Sequence, residues 1–306
     1  MFFEGSVKEM ENIELYTHKK NKSEMFLQNT SRISNNHFQA DFKLVPEHHF
    51  YSDFLACANG INPLFLLECA RQVETYLSHT EFGIKLGHKF LLNNWSLTYY
   101  PSKAVVTGDL TADIHTKHPI TNKTIKNEFN FVFKLQDTVI ATVIIGVRYI
   151  TSHCYKLIRK TPVKTTISSI AIPLSPKYVC YTKLDNVILA DLNDSGPYVN
   201  AIIKIDENNK SLNDHEQDHI TGLNITESAK QICYCYLLIY MHEETEKFIL
   251  MSMEANFMCY VEKHIPAFVL IKKVTFKNNT YSFDIDITQN KKTLATVNLV
   301  LRGEYE

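Results

Sequence analysis

The sequence predicts an α+β chain built from two tandem copies of one domain, each a curved antiparallel sheet wrapped around a central helix. Three observations carry that prediction. The chain of 306 residues repeats itself once, each copy holds a single apolar helix, and the remainder of each copy is rich in β-branched and aromatic residues. Residues 63–72 align with residues 222–231, so that Glu68, Ala70, Arg71 and Gln72 coincide with Glu227, Ala229, Lys230 and Gln231 at an offset of 159. Upstream, residues 37–44 match 198–205 at an offset of 161; downstream, 140–148 match 294–302 at 154. Three matches in one order with so little drift mark a duplication. The copies run 1–155 and 156–306, with the join within about 153–176, where Lys156, Arg159, Lys160 and Lys164 mingle with Pro162, Pro173 and Pro176.

The elements follow in order. Copy one opens with β-rich runs at 24–28 and 38–45, passes through a polar stretch, and forms a helix over about 63–78. Strands are expected at 105–115, 124–135 and 138–149. Copy two gives runs at 186–190 and 199–205, a helix over about 223–241, and strands at 248–260, 268–276, 281–287 and 293–301. Gln136-Asp137, Asn278-Asn279 and Asn290 punctuate the strands as turns. The first helix carries Leu64, Phe65, Leu66, Leu67, Ala70, Val73 and Leu77 on nearly every side, and a helix without a solvated face is one enclosed by other structure. A buried helix cradled by a curved antiparallel sheet is the hotdog arrangement, and two in one chain make a double hotdog.

Composition excludes several functions. Net charge is -1, which gives no basic excess for a nucleic-acid partner. Hydrophobic residues are 45% and charged residues 21%, as in an ordinary globular chain. No run of 18 apolar residues predicts a membrane span. The N-terminus lacks a basic region followed by an apolar one, so a cytoplasmic location is expected and sequons such as Asn94-Trp95-Ser96 carry no glycosylation argument. The cysteines at 57, 69, 154, 180, 233, 235 and 259 form no C-x-x-C pair and are expected as reduced, buried thiols. Neither a G-x-S-x-G elbow nor a phosphate-binding glycine loop occurs, and no cofactor or metal is expected.

Chemistry concentrates at two carboxylates. Glu68 and Glu227 stand within apolar helices, where a carboxylate is costly unless paired or protonated. One reading is structural: a salt bridge to the basic residue three positions on (Arg71, Lys230) and a hydrogen bond to the glutamine four on (Gln72, Gln231). The other is catalytic, with burial tuning the carboxylate for acid–base work beside a thioester. Duplication copies the trio under either reading. Ahead of each helix lies a His/Asp-rich stretch: His48, His49 and Asp53 in copy one, Asp214, His215, Asp218, His219 and Gly222 in copy two. Imidazoles there suit polarisation of a carbonyl beside helix N–H groups, and the bland alternative is a polar surface loop. Residues 215–219 spell H-E-x-x-H, which binds zinc only on a helix face; Thr221-Gly222 directly after it indicates a loop.

Thr17-His18-Lys19, residues 24–28, Pro46 with His48, His49, Phe50, Tyr51 and Asp53, then Glu68, Arg71 and Gln72, Ser78-His79, Phe82-Gly83-Ile84 and Phe90 together resemble the A-factor biosynthesis hotdog family. Copy two supplies that family's D-H-x-x-D-H-x-x-G segment as residues 214–222, continuing into Glu227, Lys230 and Gln231. The resemblance spans nearly the whole chain. It implies acyl transfer from a β-ketoacyl carrier-protein or CoA thioester to a hydroxyl of a small acceptor such as dihydroxyacetone phosphate, in butenolide-type secondary metabolism. Under it Glu68 or Glu227 acts as general base, His49 or His219 aids the oxyanion, and Arg71 or Lys230 orients the carboxylate or binds an acceptor phosphate. Gln72, Gln231, His48, Asp53, Asp214, His215, Asp218 and Gly222 would line the substrate. The alternatives are a hotdog dehydratase or thioesterase and a non-catalytic acyl-binding protein. A dehydratase histidine would fall near Asn213 or Phe54, and neither is histidine. The two copies are expected to pair within the chain, a homodimer being the further option, and the basic residues from Lys156 to Lys164 are either a solvated linker or a contact for an acidic carrier.

Overall fold

The computed structural model describes residues 13–57, 60–101, 108–121, 124–159, 171–196 and 198–304. The chain forms two compact units. The first takes its described residues from Met1–Val45 and Phe65–Lys160, the second from Pro46–Leu64 and Thr161–Glu306. The loop ahead of the first long helix therefore belongs to the second unit, although it lies in the first sequence copy.

In chain order the first unit holds the short helix α1 (Ile13–Tyr16), β1 (Leu27–Arg32), β2 (His37–Phe42), the helix α2 (Pro63–Thr80, whose first two residues count with the second unit), β3 (Lys89–Tyr99), β4 (Leu110–Thr116), β5 (Lys126–Leu135), β6 (Thr138–Ile150) and α3 (Ser152–Ile158). The second holds β7 (Leu189–Asn193), β8 (Asn200–Ile203), α4 (Gly222–Tyr240), β9 (Phe248–Phe257), β10 (Phe268–Lys277), β11 (Thr280–Gln289) and β12 (Lys292–Gly303). Within the units the sheets run β1-β2-β4-β5-β6-β3 and β7-β8-β10-β11-β12-β9, the same order with the same place for the helix in the chain. All these pairings are antiparallel. This is the double hotdog expected from the repeat.

Alternation builds the cores. Along β5, Asn127, Phe129, Phe131, Phe133 and Leu135 point inward, with neighbouring Phe rings 6.4 and 6.0 Å apart. Helix α2 is buried along most of its length, and Phe65 packs on Phe26 at 4.8 Å. Helix α4 lies against β7, β8, β10, β11 and β12, with Leu223 through Cys235 all buried. The hairpin turns fall where the sequence places them. Asn278 and Asn279 both take positive φ (51° and 54°), as do Asn290 and Lys291 (53° and 61°), the backbone that matches a two-residue turn to strand twist.

Several expectations need correction. Strand β3 has no counterpart among the expected elements, because Asn93 and Asn94 break the apolar alternation. A bulge between Leu92 and Asn94 absorbs that break, and Gly146 faces Asn94 where a Cβ would collide with the amide. The runs at 24–28 and 186–190 are strand only at their ends. Residues 22–24 and 184–186 form 3-10 turns, and β1 and β7 begin at Leu27 and Leu189. The fourth strand starts at Leu110, and the expected residues 105–107 lie outside the described ones. Cys69, Cys180, Cys233 and Cys235 are buried, but Cys154 and Cys259 are exposed; β9 stops at Phe257, two residues short of Cys259. All seven thiols are free. The join region carries α3, and residues 160–170, including Lys160, Pro162 and Lys164, lie outside the described residues. Among the described residues no helix is long and apolar enough to cross a membrane.

Candidate functional site

Each long helix is pinned to its sheet by a glutamine four residues after the helix glutamate. Gln72 Oε1 accepts from the backbone N–H of Phe26 (2.9 Å) and Leu27 (3.2 Å), while its Nε2 donates to the Glu24 carbonyl (2.8 Å) and to Glu68 Oε1 (2.7 Å). Gln231 does the same in the second unit: Oε1 accepts from Ile188 N–H (3.0 Å), and Nε2 donates to the Asn186 carbonyl (2.7 Å) and Glu227 Oε1 (2.8 Å). Residues just before the first strand cannot complete a sheet ladder, so a buried side-chain amide satisfies them.

The surroundings of the two carboxylates differ. In the first unit Lys19 Nζ lies 2.6 Å from Glu68 Oε1, the lysine side chain being 12% exposed and the glutamate 6%. Both partners of Glu68 bind the same oxygen, and Oε2 has no hydrogen-bond partner among the described residues. Arg71 does not pair with Glu68 as the i,i+3 spacing suggests. Its guanidinium binds Glu74, which is wholly buried and also accepts from Ser78 (3.2 Å), whose hydroxyl meets Tyr149 (2.7 Å). Arg71 keeps 26% of its side chain exposed, near enough to feel the Glu68 charge.

The second unit closes the corresponding place. Glu227 and Lys230 are both fully buried, with Lys230 Nζ 2.9 Å from Oε2. That contact lies off the line of a hydrogen bond, so it is coulombic. Tyr181 donates to Glu227 Oε1 (2.9 Å) and accepts from Lys230 (3.0 Å), and the ammonium sits 3.7 Å from the centre of the Phe54 ring. Burial first, then the Glu227 charge, hold the Tyr181 hydroxyl far above its ordinary range, so it stays a donor.

Lys19 and Tyr181 are equivalent positions. Each stands three positions before the first residue of its 3-10 turn and follows a residue in the left-handed region, His18 at φ 58° and Cys180 at φ 63°. That backbone turn aims the next side chain at the helix glutamate. Neither residue was expected as its partner, although Lys19 belongs to the Thr17-His18-Lys19 motif. His18 is fixed in turn by His79, Nε2 to Nε2 at 2.8 Å, and His79 Nδ1 donates to the Ile84 carbonyl (2.5 Å).

The loop residues go elsewhere. Asp53 belongs to the second unit, where it accepts from Thr182, the Lys183 N–H (3.0 Å) and Asn186 Nδ2 (2.8 Å). Asn186 also donates to the His49 carbonyl (2.8 Å), making Asp53 and Asn186 a clamp on the loop. His48 Nδ1 accepts from the Phe50 and Tyr51 N–H groups, both 3.3 Å, and the exposed His49 meets Ser211 at 3.1 Å. In copy two His215 contacts Gln217 and lies 3.6 Å from Asp214, while His219 pairs with Asp218 (2.7 Å) and meets Tyr260 edge-on. Residues 215–219 are loop, and Thr221 caps α4 by accepting from the Asn224 N–H (3.2 Å), so H-E-x-x-H has no helix on which to present two ligands. Gly222 is the first residue of α4 and accepts from Thr226 (2.8 Å) through its carbonyl. The structure thus joins Glu68 with Gln72 and Lys19, and Glu227 with Gln231, Lys230 and Tyr181.

Nucleophilic chemistry by the Cys57 and Cys69 thiols, the cysteines near Lys230 and Glu68, is disfavoured. Burial pushes the Cys57 thiol up to about 12 against the opposing Lys230 charge, and burial also raises the Cys69 thiol well above its ordinary value, with the Glu68 charge adding to it. What remains is a carboxylate with one oxygen held, one open, an apolar surround and a partly exposed guanidinium on the same helix, a set suited to taking a proton from a bound hydroxyl.

Comparison with known proteins agrees with this architecture. A sequence model of the A-factor biosynthesis hotdog domain matches residues 13–151 and again 163–302. A 2-oxo-3-(phosphooxy)propyl 3-oxoalkanoate synthase of Streptomyces virginiae is 24% identical over 269 residues, 86% of this chain and 87% of that protein. A synthase of the same name from Streptomyces griseus is 22% identical over 224 residues, 70% of this chain and 71% of the relative. Among solved structures, a Lactobacillus plantarum protein assigned as an oleoyl thioesterase superposes with a TM-score of 0.53 at 8% identity, covering 90% of this chain and 99% of the other. The 12:0-ACP thioesterase of Umbellularia californica gives 0.51 at 8% identity, covering 89% and 100%. These two likenesses show the fold. With both halves matched in order, the chain belongs to the A-factor biosynthesis hotdog family.

Proposed function

We propose that this protein transfers a 3-oxoacyl group from a carrier-protein or CoA thioester to a hydroxyl of a small phosphorylated acceptor such as dihydroxyacetone phosphate, a reaction of butenolide-type secondary metabolism. The observation that carries the reading is the half-open carboxylate of Glu68, set in an apolar helix of a family whose relatives are named as synthases of that ester. The acceptor hydroxyl gives its proton to Glu68 Oε2 as its oxygen attacks the thioester carbonyl. The C–S bond breaks as the tetrahedral intermediate collapses, and the proton leaves with the thiol, so no covalent enzyme intermediate is required. Lys19 and Gln72 hold the other carboxylate oxygen, and Arg71, braced by Glu74, offers a planar fork to the acceptor phosphate. For the histidines the family resemblance alone supports a share in polarising the carbonyl, by His49 in copy one or His219 in copy two, and the sequence copies 1–155 and 156–306 remain the proposed domains.

The test is mass spectrometry of purified protein with a 3-oxoacyl thioester, with and without dihydroxyacetone phosphate. An ester, or the butenolide phosphate formed from it, appearing only with acceptor is the expected result. Free acid or loss of water without acceptor would assign hydrolysis or dehydration instead, and an intact thioester in both tubes would overturn the transfer reading.

A further inference from the structure

The duplication gives each unit a helix glutamate, but it does not give each unit the same partners. We propose that the two copies have divided their roles: Glu68 is the working base, Lys19 is its positioning residue, and Glu227–Lys230–Tyr181 is a sealed structural cluster. The inference deepens the acyl-transfer reading by assigning it to one copy.

It rests on the exchange at the equivalent positions 19 and 181. A lysine at 19 brings a cation to Glu68 from outside the helix, and it binds the oxygen that Gln72 already holds. The helix's own basic residue is thereby released, and Arg71 turns to Glu74 with a quarter of its side chain still exposed. A tyrosine at 181 brings no charge, so the neutralising cation comes from Lys230 on the same helix, at the second carboxylate oxygen. Oε1 of Glu227 then accepts two hydrogen bonds, Oε2 faces the Lys230 ammonium inside the buried cluster without a hydrogen bond of its own, and Phe54 and Tyr181 cover that ammonium. A base needs a free lone pair and a path for its substrate. Glu68 keeps Oε2 without a hydrogen bond and 6% of its side chain exposed, next to a Lys19 that is 12% exposed, whereas Glu227 and Lys230 expose nothing.

Two readouts on the full chain decide the matter. In the folded protein, mass spectrometry after brief treatment with acetic anhydride should show Lys19 acetylated at least about tenfold faster than Lys230, which reacts only through local opening. In the transfer assay, Glu227→Gln combined with Lys230→Met should keep at least about a third of wild-type turnover, because no substrate contact is lost. Lys19→Met should lower kcat about tenfold or more while KM for the acceptor changes less than about threefold, and Lys19→Arg should recover most of the loss. Should the double variant fail to fold, Tyr181→Phe removes one hydrogen bond from Glu227, and retained transfer supports the assignment as well. Lys230 labelled as fast as Lys19, a folded Glu227 or Tyr181 variant without transfer, or a Lys19→Met enzyme equal to wild type would each overturn it. If wild type forms no acceptor-dependent product, the transfer reading falls, and the acetylation pattern alone decides whether the second cluster is sealed.

Discussion

Removing the Lys230 cation isolates the energetics of the buried cluster. In Lys230→Met, Glu227 Oε1 still accepts from Tyr181 and Gln231, but Oε2 loses the ammonium 2.9 Å away and gains nothing, since neither side chain reaches solvent. Stripping one partner from a buried pair costs about 3–5 kcal/mol, because the surviving charge is left uncompensated. For a domain of this size each kcal/mol lowers Tm by about 2–4 °C, so the second unit should melt roughly 6–20 °C earlier. Glu227→Gln should cost less, since the lysine keeps the Tyr181 oxygen and the Phe54 face, a contact worth about 2 kcal/mol when desolvated. Combining the two replaces the pair by uncharged groups of similar volume, which should bring stability back to within about 2 kcal/mol of wild type. The three variants form a double-mutant cycle, read by differential scanning calorimetry and denaturant unfolding at one pH and salt. A Lys230→Met protein within about 1 kcal/mol of wild type would refute the argument, showing that water or rearrangement compensates the charge.

Other consequences follow from the same contacts. Glu68→Gln keeps the Gln72 contact and should lower acyl transfer about 10²–10⁴-fold with an unchanged circular dichroism spectrum; transfer at the wild-type rate would exclude Glu68 as base. Asn186→Leu takes one donor from the Asp53 carboxylate, one from the His49 carbonyl and an acceptor from Asn209, and should destabilise the second unit by about 2–4 kcal/mol in denaturant unfolding. Hydrogen bonds from Lys134 and Gln39 hold the Asp113 carboxyl down to about 2 against an ordinary 3.8. The contribution is therefore fully present above about pH 4 and lost as pH falls through about 2, and Asp113→Asn should remove about 1 kcal/mol above that window once solvent screening is allowed for. His79 has a similar acid dependence in a higher window. Burial lowers its affinity for a proton, so stability is lost as pH falls below about 6.5, and His79→Gln should flatten the slope of Tm against pH there.

Legibility followed the range of the interactions. Period-two alternation in β5 and the turns at Asn278-Asn279 and Asn290 are local, so strands and hairpins could be read directly. Strand β3 could not, because its bulge is set by a glycine more than fifty residues away, at Gly146. The glutamates and glutamines stood out as polar residues inside apolar helices, but their partners did not. An i,i+3 spacing makes Arg71 a candidate for Glu68 and Lys230 one for Glu227 with equal force. Only Lys230 pairs that way.

The sequence by itself determined the duplication, one enclosed helix in each copy, the family, and the two carboxylates around which any chemistry must be argued. These are consequences of pattern along the chain, where hydrophobic period and repeated residue order suffice. The tertiary structure decided which oxygen of each carboxylate is held, that Lys19 rather than Arg71 neutralises Glu68, and that the loop carrying Asp53 packs within the second unit. Those outcomes depend on left-handed turns at His18 and Cys180 and on which cation reaches a buried charge first in space. Sequence spacing carries neither quantity, because both are settled by packing between segments far apart in the chain.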